Sequence, residues 1–196
     1  MLDIAQVTDA WRRTTLAVAR EPAAFTGPAK ETKVLRKLRD ELERVSPGAK
    51  IIGPDSQQRF GTWKIDLVIA TAKGLVAIEA KFKTLRDGAV PDNRTAAFLD
   101  LYRLDRYVAS GEYSAGLFLW LTDNRTYLRP AAGESTDYST HDGRRYRRGT
   151  KLPQVRARNK MPDPFVLESD LHFAWEVVDD VGGWYQLAIQ LPSEAV

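Results

Sequence analysis

Asp66, Glu79 and Lys81 are charged residues standing where a core strand would carry hydrocarbon. Two aliphatic-rich runs, Ile65-Asp66-Leu67-Val68-Ile69-Ala70 and Val76-Ala77-Ile78-Glu79-Ala80-Lys81-Phe82-Lys83, flank a Lys73-Gly74 turn signal, which predicts a β-hairpin. Side chains alternate along a strand, so Glu79 and Lys81 share one face while Ile78 and Ala80 take the other. With an even-numbered loop, Asp66 falls opposite Lys81 and Val68 opposite Glu79. The three charges then gather on one face, and Ile65, Leu67, Ile69, Val76, Ile78 and Ala80 form the core face; an odd loop would exchange the faces. Two carboxylates held together raise each other's pKa unless a cation intervenes, and a hard, oxygen-preferring ion such as Mg²⁺ would favour both ionised forms. Lys81 sits where its ammonium could steady a hydroxide or charge developing on a phosphate. The competing reading is an exposed cross-strand ion pair on a solvated sheet face.

These side chains need a scaffold. A chain of 196 residues with 43% hydrophobic content and five Trp suits a single folded domain. The absence of Cys excludes disulfides and thiolate metal sites and fits a reducing compartment. Leu16-Ala17-Val18-Ala19 is too short for a signal or membrane segment, so the expectation is a soluble, cytoplasmic protein with no membrane partner. Residues 2–20 predict a helix with Ile4, Val7, Trp11 and Val18 as its apolar stripe, ended by Pro22. A connector follows to Lys30. A second helix is expected over 29–45, with Leu35, Leu38, Leu42 and Val45 at helical spacing. Glu31 lies four residues before Leu35 on the same stripe, an odd place for an acid. It either complements the helix dipole or reaches the hairpin. A short strand at Ile51-Ile52 precedes the hairpin. After a polar loop, a third helix is expected from Arg94 to Ser110, with a core stripe of Ala97, Leu101, Leu104 and Val108 beside a face carrying Tyr102, Arg103 and Arg106. Ala115 to Thr122 is an almost unbroken apolar run, as in a strand buried on both faces.

An Asp followed by Glu-x-Lys across a hairpin resembles the PD-(D/E)xK nuclease superfamily, with Ile65 standing where the family name has proline. The element order over residues 29–123 resembles its restriction-endonuclease-like αβββαβ core: an α/β fold with a mixed central sheet flanked by helices, here with an N-terminal helix (1–28) and a C-terminal β-hairpin (165–196) added. The resemblance implies a Mg²⁺-dependent deoxyribonuclease, with Mn²⁺ as an alternative ion, that hydrolyses DNA phosphodiesters by metal-activated water. Asp66 and Glu79 would bind the metal and Lys81 would assist the attacking water. Glu31 would be a further ligand, because the superfamily often places a glutamate on the helix before the motif strands. Some members carry a Gln-x-x-x-Tyr pair on the following helix; here Asp100, Arg103 and Tyr107 stand in that helix instead. A nuclease this short often works as two copies, so a homodimer is expected.

Residues 129–164 form a polar region. Within it Arg144 to Lys160 holds eight cations (Arg144, Arg145, Arg147, Arg148, Lys151, Arg156, Arg158 and Lys160) and no acid, and without them the net charge of +3 becomes −5. A local basic run with Tyr146 interleaved suits a phosphate backbone; a solvated surface loop is the plainer alternative. Leu171 to Val178 and Trp184 to Leu191 predict a second hairpin around Asp179-Asp180-Val181-Gly182-Gly183 that extends or flanks the sheet. His172 reads as a structural residue and His141 has no partner in the sequence. With two His in all, no Gly-rich phosphate loop and no Gly-x-Ser-x-Gly, zinc-hydrolase, ATPase and serine-hydrolase chemistry is disfavoured. Two rivals to the nuclease remain: a catalytically silent nucleic-acid-binding member of the same fold, and a protein-interaction accessory module using the basic loop.

Overall fold

The acid-bearing hairpin is at the centre of the sheet. A computed structural model describes residues 2–56, 58–153, 165–178 and 182–192. Its helices are α1 (Ile4–Arg20), α2 (Lys30–Val45) and α3 (Val90–Ala109). Its strands are β1 (Ile51–Ile52), β2 (Gln58–Phe60), β3 (Trp63–Ile65), β4 (Leu67–Thr71), β5 (Gly74–Lys83), β6 (Ala115–Thr122), β7 (Arg144–Tyr146), β8 (Lys151–Leu152), β9 (Phe165–Val166), β10 (Leu171–Phe173), β11 (Glu176–Val177) and β12 (Tyr185–Leu191). Six of them form one sheet in the order β1-β4-β5-β6-β12-β11. β5 and β6 are parallel, joined by a crossover through α3, and every other pair in the sheet is antiparallel.

Alternation divides each central strand between two cores. Leu67, Ile69, Val76, Ile78, Leu117 and Leu119 face α1 and α2, meeting Val7, Trp11, Leu35, Leu38 and Leu42. Val68, Ala77, Phe118 and Trp120 face the other way, onto Ala97, Phe98, Leu101 and Leu104 of α3. Helices therefore cover both faces, which is why β6 reads as a continuous apolar run and why all eight of its residues are buried. The capping box expected of a well-anchored helix start is present at α1, where Asp3 accepts from the Gln6 amide at 2.8 Å and Gln6 accepts from the Asp3 amide at 3.0 Å. No helix among the described residues is long and apolar enough to cross a membrane.

Several expectations need correction. The hairpin loop is even, the case that gathers the charges on one face, but its two residues are Ala72 and Lys73, so Thr71 pairs with Gly74 and Leu67 with Ile78. Moving the turn by one residue slides the pairing by two: Val68 faces Ala77, not Glu79, while the allocation of faces survives. Gly74 takes the position after the turn at φ +124°, where a Cβ would also press on Ser114 at 3.2 Å. Ile65 does not join Leu67 and Ile69. A bend at Asp66 breaks the alternation, and Ile65 packs into the α3 core from β3, which pairs with β2. α3 begins at Val90, four residues earlier than expected, with Pro91 in its first turn, where a missing N–H costs nothing.

The described part of this polar region, residues 129–153, is more structured than its polarity suggests. Tyr127, Tyr138 and Tyr146 are buried against Phe98, Trp120 and Phe173. Tyr146 donates its hydroxyl to the Ser139 carbonyl at 2.8 Å and the Asp137 carbonyl at 3.0 Å, so it is a core residue and not a stacking platform for bases. The run from Leu171 to Val178 is two strands with different partners: β10 pairs with β7, and β11 pairs with β12. The anticipated C-terminal hairpin does extend the main sheet, through β12 against β6, although Asp179, Asp180 and Val181 lie outside the described residues.

Candidate functional site

β5 is longer than its partner. Beyond the Leu67–Ile78 pair, residues Glu79 to Lys83 have β6 on one side and no strand on the other. Unpaired backbone N–H groups inside a folded protein need acceptors. Two acids supply them. Asp66 Oδ2 accepts from the Ala80 amide at 2.9 Å, and Glu31 Oε1 accepts from the Phe82 amide at 3.3 Å. The bend at Asp66 and the first turn of α2 are thereby fastened to the free edge of β5.

Gly53, just past β1, helps to shape the bend. A Cβ there would stand 2.4 Å from the Asp66 carbonyl oxygen, so the backbones approach more closely than any other residue would allow.

Side chains complete the arrangement. Glu79 is buried and accepts from the Tyr107 hydroxyl of α3 at 3.3 Å. Lys81, on the same face, forms an ion pair with Asp100 of α3. Arg103, one turn along, donates to the other Asp100 oxygen at 3.1 Å, and Lys83 pairs with Glu31 at 2.8 Å. Glu31, Asp66, Glu79, Lys81, Asp100 and Arg103 line one pocket of about 480 Å³, walled on a further side by Thr62, Trp63 and Lys64. All four residues singled out from the sequence for metal chemistry and water activation are thus brought together. Asp100, Arg103 and Tyr107 were visible as members of the helix, but their link to these residues was not. The signal that marked Glu31 also marks Asp100: an acid on an apolar helix stripe, three residues after Ala97 and four before Leu104.

Crowded acids in a buried pocket resist ionisation. Burial pushes the Glu79 carboxyl well above the usual range, and the charges of Asp100 and Asp66 add to the effect. Burial likewise moves Asp66 up to about 6, against the Ala80 hydrogen bond, which favours the anion. Burial opposes the Lys81 ammonium, but Asp100 and then Glu31 and Asp66 outweigh it and keep the amine protonated beyond its ordinary range. The Tyr107 hydroxyl is raised by burial and by Glu79, which keeps it a donor. The pocket is a set of carboxylates short of positive charge. Arg103 Nε and Arg144 Nε are also buried without a hydrogen-bond partner among the described residues.

The donor chemistry fits a hard divalent cation, since all the candidate ligands are carboxylate oxygens. The placement is less complete. Among the described residues no three His, Cys, Asp or Glu side chains stand as a ready ion cage, and Glu31 and Asp100 are engaged by Lys83 and by Lys81 with Arg103.

The basic segment lies on the α3 side of the sheet. The side chains of Arg145, Arg147, Arg148 and Lys151 are exposed and form no ion pair among the described residues, while the Arg148 backbone amide donates to Asp170 Oδ1 at 2.6 Å. Arg144 is half-buried, with its guanidinium 4.6 Å from the centre of the Tyr146 ring. Arg156, Arg158 and Lys160 lie outside the described residues. His172 is exposed on β10. His141 shares a hydrogen bond of 2.8 Å with Ser139 through Nδ1, and burial lowers its pKa.

No protein-family model, curated protein or solved structure matches this chain.

Proposed function

We propose that the protein is a metal-dependent endonuclease of PD-(D/E)xK type that hydrolyses phosphodiester bonds in DNA. One observation carries the proposal: Glu31 from α2, Asp66 from the bend before β4, and Glu79 and Lys81 from β5 line a single pocket. Counting main-sheet strands only, with the β2–β3 ribbon inserted between β1 and β4, the succession α2, β1, β4, β5, α3, β6 supports the αβββαβ reading of the core.

Asp66 and Glu79 would hold Mg²⁺, with Glu31 a further ligand. Such an ion supplies a nucleophilic water at neutral pH and offsets negative charge on the phosphate. The chain's own groups do the rest. Tyr107 fixes the Glu79 rotamer, so the carboxylate meets its ligand without reorganising. Lys81, oriented by Asp100, presents a cation to the charge that builds up on the phosphate oxygens in the transition state. Arg103 shares Asp100 with Lys81 and so helps to hold that carboxylate in place.

A second reading, a DNA-binding protein of the same fold without catalysis, draws support from the existing ion pairs of Glu31 and Asp100.

Cleavage of circular and linear DNA with Mg²⁺ or Mn²⁺ separates the two. The expected outcome is strand scission that stops on chelation and falls roughly 10²-fold or more in Glu79→Gln and Lys81→Ala, with melting curves preserved. Undiminished cleavage in both variants would overturn the assignment, and no cleavage by the parent chain would favour the silent binder.

A further inference from the structure

We infer that the cavity outside the carboxyl ends of β5 and β6 is a binding site for a small aromatic anion, with Arg86 taking the anionic group. The inference goes beyond the nuclease reading and does not depend on it.

β5 and β6 are the parallel pair of the sheet, and in open α/β sheets ligands gather where the chain leaves the carboxyl ends of such strands. Thr84 follows the last residue of β5 and Asp123 the last residue of β6, and both line a cavity of about 820 Å³. That volume suits a small organic molecule and exceeds the 480 Å³ of the carboxylate pocket. The two share no lining residue. Lys30 lines this cavity and Glu31 lines the other, so the first turn of α2 contributes to both.

Much of the lining is apolar. On the inner side are Phe82 and Trp184, buried rings whose centroids lie 5.9 Å apart with their planes within 14° of parallel. On the outer side Pro22, Phe25 and Pro28 form a wall from the connector between α1 and α2. This wall is tied down. Lys33 of α2 donates to the Ala24 and Thr26 carbonyls, each at 3.1 Å. Leu85, between the lining residues Thr84 and Arg86, is 66% exposed, a large apolar side chain left mostly uncovered at the rim.

The charges select the ligand. Lys30 and Asp87 form an ion pair and Asp87 also accepts from Thr84, so these three groups are already engaged. Asp123 accepts from the Leu85 amide at 2.6 Å through Oδ1, and its Oδ2 has no hydrogen bond among the described residues. Arg86 is exposed and has neither an ion pair nor a hydrogen bond among the described residues. A ligand that answers all of this carries a ring system for the apolar wall, an anionic group for Arg86 and a hydrogen-bond donor for Asp123. A neutral hydrocarbon would leave the guanidinium without a partner, and a cation would be repelled by it.

The test uses the full chain and two dyes built on one ring system. 8-Anilinonaphthalene-1-sulfonate carries a sulfonate and an N–H; N-phenyl-1-naphthylamine keeps the rings and the N–H and lacks the sulfonate. The parent is expected to take up one equivalent of the sulfonate dye with a dissociation constant of about 10–100 µM, read from dye fluorescence. R86Q should weaken the sulfonate dye about tenfold and the neutral dye by less than about twofold, with its melting curve unchanged. Phe25→Ser should weaken both dyes, and K50Q, at an exposed lysine before β1, should alter neither. Parent-like binding by R86Q, or equal loss of both dyes in it, overturns the inference. Uptake of many equivalents without saturation also overturns it, as general adsorption to the surface. So does exclusion of the dye by the parent, and self-association that R86Q or Phe25→Ser abolishes would then assign the cavity to a second copy of the chain. DNA cleavage has no part in the readout, so each of these failures leaves the nuclease reading standing.

Discussion

Asp66 has two duties that conflict. It caps the Ala80 amide, a structural role that any acceptor could fill, and it places a negative charge in a buried pocket. Burial moves its carboxyl from the ordinary 3.8 to about 6, so the folded chain holds this proton more tightly than the unfolded chain does. The sign follows. A carboxyl with a raised folded-state pKa favours folding below pH 4 and loses that contribution as the pH climbs through 6. Asp66→Asn keeps an acceptor for Ala80 and discards the charge. It should therefore stabilise the protein by about 1–3 kcal/mol at pH 8, with the gain vanishing below pH 4. Urea titrations at the two pH values measure this, and equal stabilisation at both would show that charge is not the cause. Added Mg²⁺ should raise the stability of the parent and not of the variant, since only a folded state that binds the ion gains from it. An acid that weakens its own fold is the kind of anomaly a sequence reveals, and Asp66, Glu79 and Glu31 all stood out as charges among aliphatic residues. Asp100 and Tyr107 did not, because what links them to the site is their partners Lys81 and Glu79 on β5, an earlier strand that helix periodicity alone does not connect to α3.

At the scale of elements, the site exists because two strands differ in length. β4 ends where Asp66 bends the chain, and β5 continues through Glu79 to Lys83 with a bare edge. The face each charge takes followed from alternation given an even turn, whose parity the sequence left open. The register did not, because turns at Lys73-Gly74 and at Ala72-Lys73 put every charge on the same face, so alternation cannot tell them apart. Nor did the capping of the edge, which depends on α2 lying across the end of β5. If Glu31 is an edge cap, Glu31→Ala leaves the Phe82 amide without an acceptor and Lys83 without a partner, at a cost of about 1–2 kcal/mol. Amide exchange at Phe82 should accelerate while Ala80, held by Asp66, stays protected. Glu31→Gln should restore protection at Phe82 and lose only the ion pair. Unchanged exchange at Phe82 in the alanine variant would refute the capping role and leave Glu31 with its pocket role alone.

Across the whole molecule, the segment over 29–123 that carries the motif is not a self-sufficient unit. β6 is buried on both faces and also along both edges: β5 pairs with it on one side, and β12, more than sixty residues later, pairs with seven of its residues on the other. The apolar run at Ala115–Thr122 announced burial on two faces, but a sequence pattern says nothing about which strand closes the free edge. The α3 core is equally dispersed: Tyr138 and Tyr146 complete it from a stretch whose composition reads as loop, with Tyr127 and Phe173 on either side of that stretch. Aromatic side chains bury large areas at wide spacing, so a polar average conceals them. A fragment ending at residue 123 would expose the β6 edge, a long apolar strand with unpaired N–H and C=O groups, together with the side of the α3 core that Tyr127, Tyr138, Tyr146 and Phe173 cover. It should therefore fail to fold as a monomer, showing no cooperative urea transition and precipitating at concentrations where the full chain is clear. Adding back residues 124–192 in the same polypeptide should restore a single transition. A fragment that unfolds cooperatively on its own would mean that the motif-bearing half carries its own core, and that the strands after Thr122 are an addition to the fold and not part of its closure.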